Sequence, residues 1–198
     1  MIPRYLQITM ALLFVAVLVL GFYVRHMRGR VKEAVRVVDG RPLVPPAAGP
    51  TEQVTLYVAY DDPGVLHAES ARIALSSGRQ ERAQELVQAL LVRYLDRQST
   101  HPLPARADVR DVYMVDPGLV VIDLNSAFAD GHRSGILVEE LTVASLSETL
   151  AANLPGINRV QFLVDGKQRD TLAGHADLSG YYDSGAISSL TQKLQQSP

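Results

Sequence analysis

The sequence predicts an α+β domain in which two helices pack on one face of a small antiparallel or mixed sheet, with a separate N-terminal transmembrane helix. Short segments rich in β-branched and aromatic residues indicate strands, and two longer segments carry apolar residues at helical spacing. The elements follow in the order β(β)αββαβ with short connections. An apolar content of 47% over 198 residues is enough for one core of ordinary size.

Residues 6–24 follow a short tail, residues 1–5, and contain no charged side chain. As a helix this run would span roughly 28 Å, which matches the hydrocarbon core of a bilayer. A cleaved signal peptide is the alternative, but the run ends in Tyr23-Val24-Arg25 without a small-residue cleavage site. We therefore expect an uncleaved single-pass anchor that contacts the lipid bilayer.

Residues 25–51 are predicted to be a basic stem that continues into a stiff spacer. Arg25, Arg28, Arg30 and Lys32 follow the apolar run, and four prolines lie between Pro42 and Pro50. The cations favour a cytoplasmic position for the chain on the C-terminal side of the anchor, although long domains can translocate regardless of flanking charge. The spacer should hold the folded domain, residues 52–180, away from the membrane.

The first half of that domain is predicted as two strands, a helix and a hairpin. Val54 to Tyr60 alternates as a strand does, and a second strand is expected within Leu66 to Leu75. Ser77 and Gln80 form a Ser-x-x-Gln capping box before a helix whose apolar residues recur at three- and four-residue spacing. The hairpin joins Val109–Val115 to Leu119–Leu124 through Asp116-Pro117-Gly118.

The second half is predicted as a helix and a strand. Ile136 to Leu154 reads as a helix ended by Pro155-Gly156, and Arg159 to Val164 as a strand that precedes an Asp165-Gly166 turn. Residues 181–198 are taken as a C-terminal tail. Apolar residues in this tail could form a weak amphipathic helix over residues 186–196, or the tail could fray.

Charge and cysteine content exclude several classes of function. Residues 52–180 carry eleven Lys or Arg against eighteen Asp or Glu, so the domain has a charge of −7 and would repel the phosphates of DNA or RNA. The chain has no cysteine, which excludes disulfides, thiolate metal sites, a cysteine nucleophile and the lipid-bearing cysteine of a lipoprotein. We predict no nucleic-acid partner.

The sequence contains no phosphate-binding loop, no His-Glu-x-x-His helix and no Gly-x-Ser-x-Gly elbow. The one metal candidate is the set Asp165, Asp170, His175 and Asp177, which lies within thirteen residues. The alternative, which we favour, is structural: turn formation by Asp165, capping by Asp177 and a local hydrogen bond from His175. No catalytic residue and no cofactor are predicted.

Three other acidic residues have structural interpretations. Asp123 lies in an apolar strand and should sit at its end, where it accepts hydrogen bonds. Glu139 and Glu140 fall near the start of the second helix and favour its dipole there.

The sequence resembles the GerMN domain, the sporulation and spore germination module. The resemblance is carried in order by Val54 to Tyr60, Ala83 to Leu91, Val121 to Asn125 with Phe128, Glu140 to Val143, and Val160 to Lys167 with Thr171 to Ser179. It implies an extracytoplasmic domain tethered to the cytoplasmic membrane, a fold similar to ring-building motifs of sporulation channels, and contacts with envelope proteins. It implies no catalytic residue and no cofactor.

These observations together predict a non-catalytic protein-interaction or scaffold module, in sporulation, spore germination or envelope assembly. The expected partners are other envelope proteins or further copies of the chain. The alternative is an envelope protein that binds a metal or a small ligand through the segment from Asp165 to Asp177.

Overall fold

The structure, a computed structural model, describes residues 49–115 and 117–195. The predicted N-terminal tail and transmembrane helix, residues 1–24, and residues 25–48 of the stem lie outside these ranges. Within the described ranges, no helix combines the length and the apolar content that a membrane span requires.

The described chain has an α+β fold, which confirms the predicted class. Six strands and four helices follow one another as β1 Thr51–Tyr60, β2 Val65–Ala74, α1 Arg79–Leu95, β3 Val109–Val115, β4 Leu119–Leu124, α2 Ser126–Asp130, α3 Ile136–Asn153, β5 Arg159–Val164, β6 Tyr181–Asp183 and α4 Ser184–Gln195.

The strands divide between two sheets, whereas the sequence predicted one. β1 and β2 form an antiparallel hairpin, and the other four strands form a sheet in the order β3-β4-β5-β6. Within that sheet β4 and β5 are parallel and the other pairs are antiparallel. The correction has a physical reason, because side chains of α3 occupy the position beside β1 that another strand would need.

Helix α3 closes the outer edge of β1 with hydrogen bonds from a polar stripe. The amide of Tyr57 donates to Thr149 Oγ1 at 2.9 Å, and Ser145 Oγ donates to the Tyr57 carbonyl at 2.6 Å. The Asn153 side chain pairs with both backbone groups of Thr55, at 3.2 and 2.7 Å. These helix residues recur every four positions and so share one face. That face replaces a neighbouring strand.

The predicted capping box of α1 is wrong. The helix begins after Gly78 with no side-chain cap, and Gln80 reaches the edge of β3 instead. Its amide nitrogen donates to the Val112 carbonyl, and its oxygen accepts from the Met114 amide at 3.0 Å. One glutamine side chain therefore pairs with the edge of β3 as a short piece of strand would.

Replacing Gln80 by alanine should destabilise the domain by about 1 to 2 kcal/mol, because two partly buried backbone groups lose their partner. The measurement is chemical denaturation of the purified protein. Gln88→Ala serves as the control, since Gln88 is exposed on the same helix and its loss should cost less than about 0.5 kcal/mol. Equal effects of the two changes would contradict the role of Gln80.

The turn between β3 and β4 requires its glycine. Gly118 has a φ of +73°, and a Cβ atom there would lie 2.5 Å from the carbonyl oxygen of Gly156. The Gly118 carbonyl also accepts from the amides of Asn158 and Arg159, at 2.9 and 3.2 Å. The predicted turn therefore also holds the loop that follows α3.

The folded part extends beyond the predicted boundaries at both ends. β1 begins at Thr51, and the tail contributes β6, which pairs with β5, and helix α4. Helix α4 buries Ile187, Thr191 and Leu194, whose spacing places them on one face. The tail is ordered because this face packs against α3.

Helix α2 was not predicted, since five residues are too few to show helical periodicity. Asn125 caps it by accepting the amide of Phe128 at 2.8 Å. Phe128 is fully buried, so this short turn delivers a large aromatic ring to the core.

Candidate functional site

A buried carboxylate joins the start of α3 to the loop that precedes β6. Glu139 is fully buried, and its Oε2 atom accepts from the amides of Ala173, His175 and Ala176 at 2.9 to 3.0 Å. Its Oε1 atom accepts from the Gly135 amide at 3.1 Å and from His175 Nδ1 at 2.9 Å. Glu139 therefore clamps this loop onto the helix.

The charge of Glu139 depends on these donors. Burial raises the pKa of its carboxyl, but the His175 side chain and the amides of Ala176, Gly135 and His175 together lower the pKa to about 2. The carboxylate is thus ionised near neutral pH. The sequence placed Glu139 near the helix start for its dipole, and gave no sign that it would bind a loop more than thirty residues away.

His175 is the one metal candidate that this clamp includes. Its predicted local hydrogen bond is instead a contact with Glu139, although the residue itself remains exposed. The Ser134 hydroxyl lies 3.4 Å from the same nitrogen, Nδ1.

The other three metal candidates lie outside the clamp, in the loops after β5. Asp165 is exposed in its predicted turn, with a φ of +49°, and lies 3.5 Å from an Arg110 nitrogen. Asp177 accepts from the amide and hydroxyl of Ser179, which lowers the pKa of its carboxyl. Asp170 is exposed. No group of three or more His, Asp or Glu residues placed for a shared cation occurs in residues 49–115 and 117–195.

Asp123 lies where the sequence predicted it, near the end of β4. Its Oδ1 atom accepts from the Gly166 amide at 2.7 Å, and Oδ2 lies 3.4 Å from an Arg110 nitrogen. The buried carboxylate is thus bound on both oxygens and stabilises the turn after β5.

A second polar network lies around Thr142 of α3 and was not predicted. His101 places Nδ1 at 2.6 Å from Asp61 Oδ1 and Nε2 at 2.7 Å from Thr142 Oγ1. His132 places Nε2 at 2.7 Å from the same hydroxyl and Nδ1 at 2.8 Å from the Arg133 carbonyl. The Arg133 guanidinium in turn pairs with Asp61. Three loops are thereby tied to one helix.

Burial is the main cause that lowers the pKa of His132, which favours its neutral form. The Thr142 hydroxyl donates to the Val138 carbonyl at 3.1 Å and also lies within hydrogen-bond distance of the Nε2 atoms of both histidines.

Asp61, His101 and Thr142 follow the order of a hydrolase triad, but the hydroxyl is enclosed. Thr142 is 1% exposed, and its oxygen also contacts His132 and the Val138 carbonyl. A nucleophile needs room for the atom that it attacks and donors for the oxyanion. This hydroxyl already has partners on several sides, so the network acts as a structural connection.

The network is also held from the side of α1. The Tyr94 ring packs edge-on against the His101 ring, with 4.9 Å between the ring centroids. The Tyr94 hydroxyl accepts from the Ala59 amide at 2.9 Å and contacts Ser145 Oγ. Burial raises the pKa of Tyr94 to about 12. No motif or spacing joins these residues in the sequence.

The four-stranded sheet presents one face with exposed apolar side chains, which we call the outer sheet face. Tyr113, Val121, Gln161 and Tyr181 lie opposite one another across the four strands, and the Arg159 guanidinium lies 5.6 Å above the Tyr181 ring. The apolar residues of this face that are exposed or half-buried are Tyr113, Val115, Leu119, Leu163 and Tyr181. The opposite face of the sheet forms the core.

Comparison with known proteins identifies the family. A family model described as "Germane: Sporulation and spore germination" matches residues 55–170. No curated protein matches this chain.

One of the similar solved structures shows the fold. The tandem GerMN domains of the sporulation protein GerM from Bacillus subtilis match with 18% identity and a TM-score of 0.51, over 68% of this chain and 46% of that one. The first GerMN domain of GerM matches with 16% identity and a TM-score of 0.49, over 68% of this chain and 98% of that one. A candidate lipoprotein from Clostridium perfringens matches with 22% identity and a TM-score of 0.48, over 72% of this chain and 93% of that one.

The family match covers more than half of the chain and confirms the resemblance found in the sequence. The chain belongs to the Germane family, the sporulation and spore germination family that includes GerMN domains.

Proposed function

We propose that this protein is tethered to the cytoplasmic membrane and binds other envelope proteins through its extracytoplasmic domain without catalysing a reaction. The outer sheet face supports this proposal, since two tyrosines and Val115 are exposed there and Leu119 and Leu163 are half-buried. Exposed aromatic residues with a neighbouring arginine are typical of protein interfaces. The family description favours a role in sporulation or spore germination.

The buried polar groups support a role other than catalysis. Glu139 and Thr142, which would be candidates for a base and a nucleophile, bind groups of their own fold. The tether rests on the uncharged run at residues 6–24. A reporter enzyme fused to the C-terminus, active only outside the cytoplasm, tests the orientation, and an inactive reporter on a stable fusion would contradict it.

The interaction is tested with a photo-crosslinking amino acid placed at Tyr113 of the full chain in native membranes. We expect a discrete adduct with another envelope protein, because Tyr113 lies on the outer sheet face. The same amino acid at Gln88, an exposed polar position on α1, should give none. Monomer alone from Tyr113, Val115 and Tyr181 would argue against this surface as the binding site.

A further inference from the structure

The outer edge of β2 carries backbone groups that have no partner in residues 49–115 and 117–195. The β1 backbone groups that bond to α3 belong to Thr55 and Tyr57, so those of Leu56, the residue between them, bond to β2. By the register Leu56↔Glu69, the amides and carbonyls of Ala68, Ser70 and Arg72 then point away from β1. No hydrogen bond to these groups occurs in the described part of the chain.

This open edge contrasts with the two that the fold closes. The edge of β1 is paired with α3 and the edge of β3 with Gln80. Along β2 the side chains of Ala68, Ser70 and Ala74 are small and exposed, so they leave the edge accessible. Proteins commonly protect such edges with charges, bulges or coverage, because an open edge pairs with other strands.

A pocket lies on the side of the hairpin that faces α1 and reaches β2 at Glu69. Its volume is about 250 Å³, and its lining combines the apolar and aromatic residues Val58, Tyr60, Val92 and Tyr94 with the polar residues Glu69, Arg93, Asp96, Gln98, Ser99 and Thr100. Glu69 lies between Ala68 and Ser70 in β2, and Val92 is 71% exposed. A strand added at the edge would therefore project alternate side chains toward this pocket.

We propose that the edge of β2 receives an extended segment of a partner protein as a third strand, with an apolar side chain of that segment in the pocket beside Val92. The added strand bonds to the outward backbone groups of Ala68, Ser70 and Arg72. In this mode main-chain hydrogen bonds supply affinity, and the pocket selects the side chain. The inference rests on the proposed binding function and assigns it a second surface.

Charge adds a second feature to the segment. Arg72 is exposed on the other side of the hairpin, and no ion pair involves it among the described residues. An acidic side chain of the added strand fits beside it. Arg72 and Glu69 are three positions apart and point to opposite sides, so the segment carries its acidic and apolar residues three apart as well.

A second copy of this chain does not fit the pocket by pairing β2 with β2. The side chains of β2 that face the pocket side are Val65, His67, Glu69, Ala71 and Ile73, and the two larger apolar ones, Val65 and Ile73, are buried in the core of their own chain. A copy would leave the pocket unfilled and would place further charge beside Glu69. The occupant is therefore a segment with a different sequence.

The probe is a displayed library of random twelve-residue peptides, panned against the full chain in lipid nanodiscs. We expect selected peptides without central proline that carry an acidic and an apolar residue three positions apart. On binding, hydrogen exchange at the Ala68, Ser70 and Arg72 amides should slow by about tenfold or more, while the amides already bonded to β1 change little.

Two variants and a matched control test the geometry. Ser70→Pro removes an outward amide without removing a β1 bond, and should weaken peptide binding about tenfold or more. Thr51→Pro makes the same change on β1, at an amide that points away from β2 by the same register, and should leave binding within about twofold. Val92→Asp, at an exposed position, should remove the preference for an apolar residue even if Ser70→Pro fails to fold.

Several outcomes would overturn strand addition. They are a library that yields no binder, a binder that leaves the three amides unprotected, and protection that grows with protein concentration alone, which would indicate a second copy. Protection in the full chain without peptide would indicate one of its own segments. If crosslinks through Tyr113 persist in any of these cases, the proposed function stands and only the β2 site is removed.

Discussion

Replacement of Glu139 by glutamine is expected to destabilise the domain by about 3 to 5 kcal/mol, the largest effect expected of a conservative change in this protein. Glutamine removes the charge and one of two acceptor oxygens. The side-chain NH2 of the glutamine would then face either the amides of Ala173, His175 and Ala176 or the amide of Gly135, and these are donors as well. Buried donors without an acceptor cost more than the bonds alone.

The measurement is chemical denaturation of the full chain in detergent, with hydrogen exchange at Ala173 and Ala176 as the local readout. Both amides should exchange faster in the variant than in the unchanged protein. Glu140→Gln is the matched control, because it removes the neighbouring carboxylate of the same helical turn. Its effect should stay below about 0.5 kcal/mol, and a similar loss in both variants would contradict the clamp.

The same clamp predicts how stability depends on pH. The pKa of Glu139 is lowered from 4.5 to about 2 in the folded protein, so the unfolded chain takes up a proton first as the solution is acidified. The stabilisation is therefore complete above pH 4.5 and is lost as the pH falls from there to about 2. Glu139→Gln should lack this component of the acid profile.

Thr142→Val is expected to destabilise the domain by about 2 to 3 kcal/mol, although the two side chains have nearly the same shape. The change removes the hydroxyl that contacts the Nε2 atoms of both His101 and His132. Both nitrogens would remain buried without that partner. The loops that contain Asp61, His101 and His132 would also lose their common attachment to α3.

Ser147→Ala provides a sharp comparison on the same helix. Ser147 is fully buried, but its hydroxyl has no hydrogen-bond partner in the described part of the chain. Its removal should be neutral or slightly stabilising, since a buried unpaired group is relieved. Denaturation curves of the two variants therefore show whether the loss of stability comes from the hydrogen bonds of a buried hydroxyl or from its burial alone. Similar losses in both would show that packing, and not the bridging hydroxyl, explains the effect of Thr142.

Local features were well predicted from the sequence. The strands at Val109–Val115, Leu119–Leu124 and Arg159–Val164 have their predicted bounds, and α3 ends within one residue of its prediction. Alternation, helical spacing and turn residues involve residues that are close in the chain, so the sequence alone is enough to predict strands, helices and turns from them. Gln80 shows where local patterns fail. Its spacing from Ser77 predicts a capping box, but in the structure its side chain bonds to the edge of β3 instead.

The polar residues of α3 explain most of what was missed. Thr142, Ser145 and Thr149 look like ordinary helical residues in the sequence, and the helix shows only a broad apolar arc. Each has a partner in another element, such as the amide of Tyr57 for Thr149, 92 residues away. The split into two sheets follows from these same contacts, since α3 takes the place of a strand beside β1.

The sequence by itself determined the α+β class, the order of the elements, the acidic character of the domain and the resemblance to its family, because composition and short-range periodicity carry that information. Only the tertiary structure decided that Glu139 is a clamp, that His101 and His132 share one hydroxyl, and that β2 keeps an open edge. Buried polar pairing and the accessibility of a strand edge depend on which distant residues meet, and no local pattern encodes those meetings.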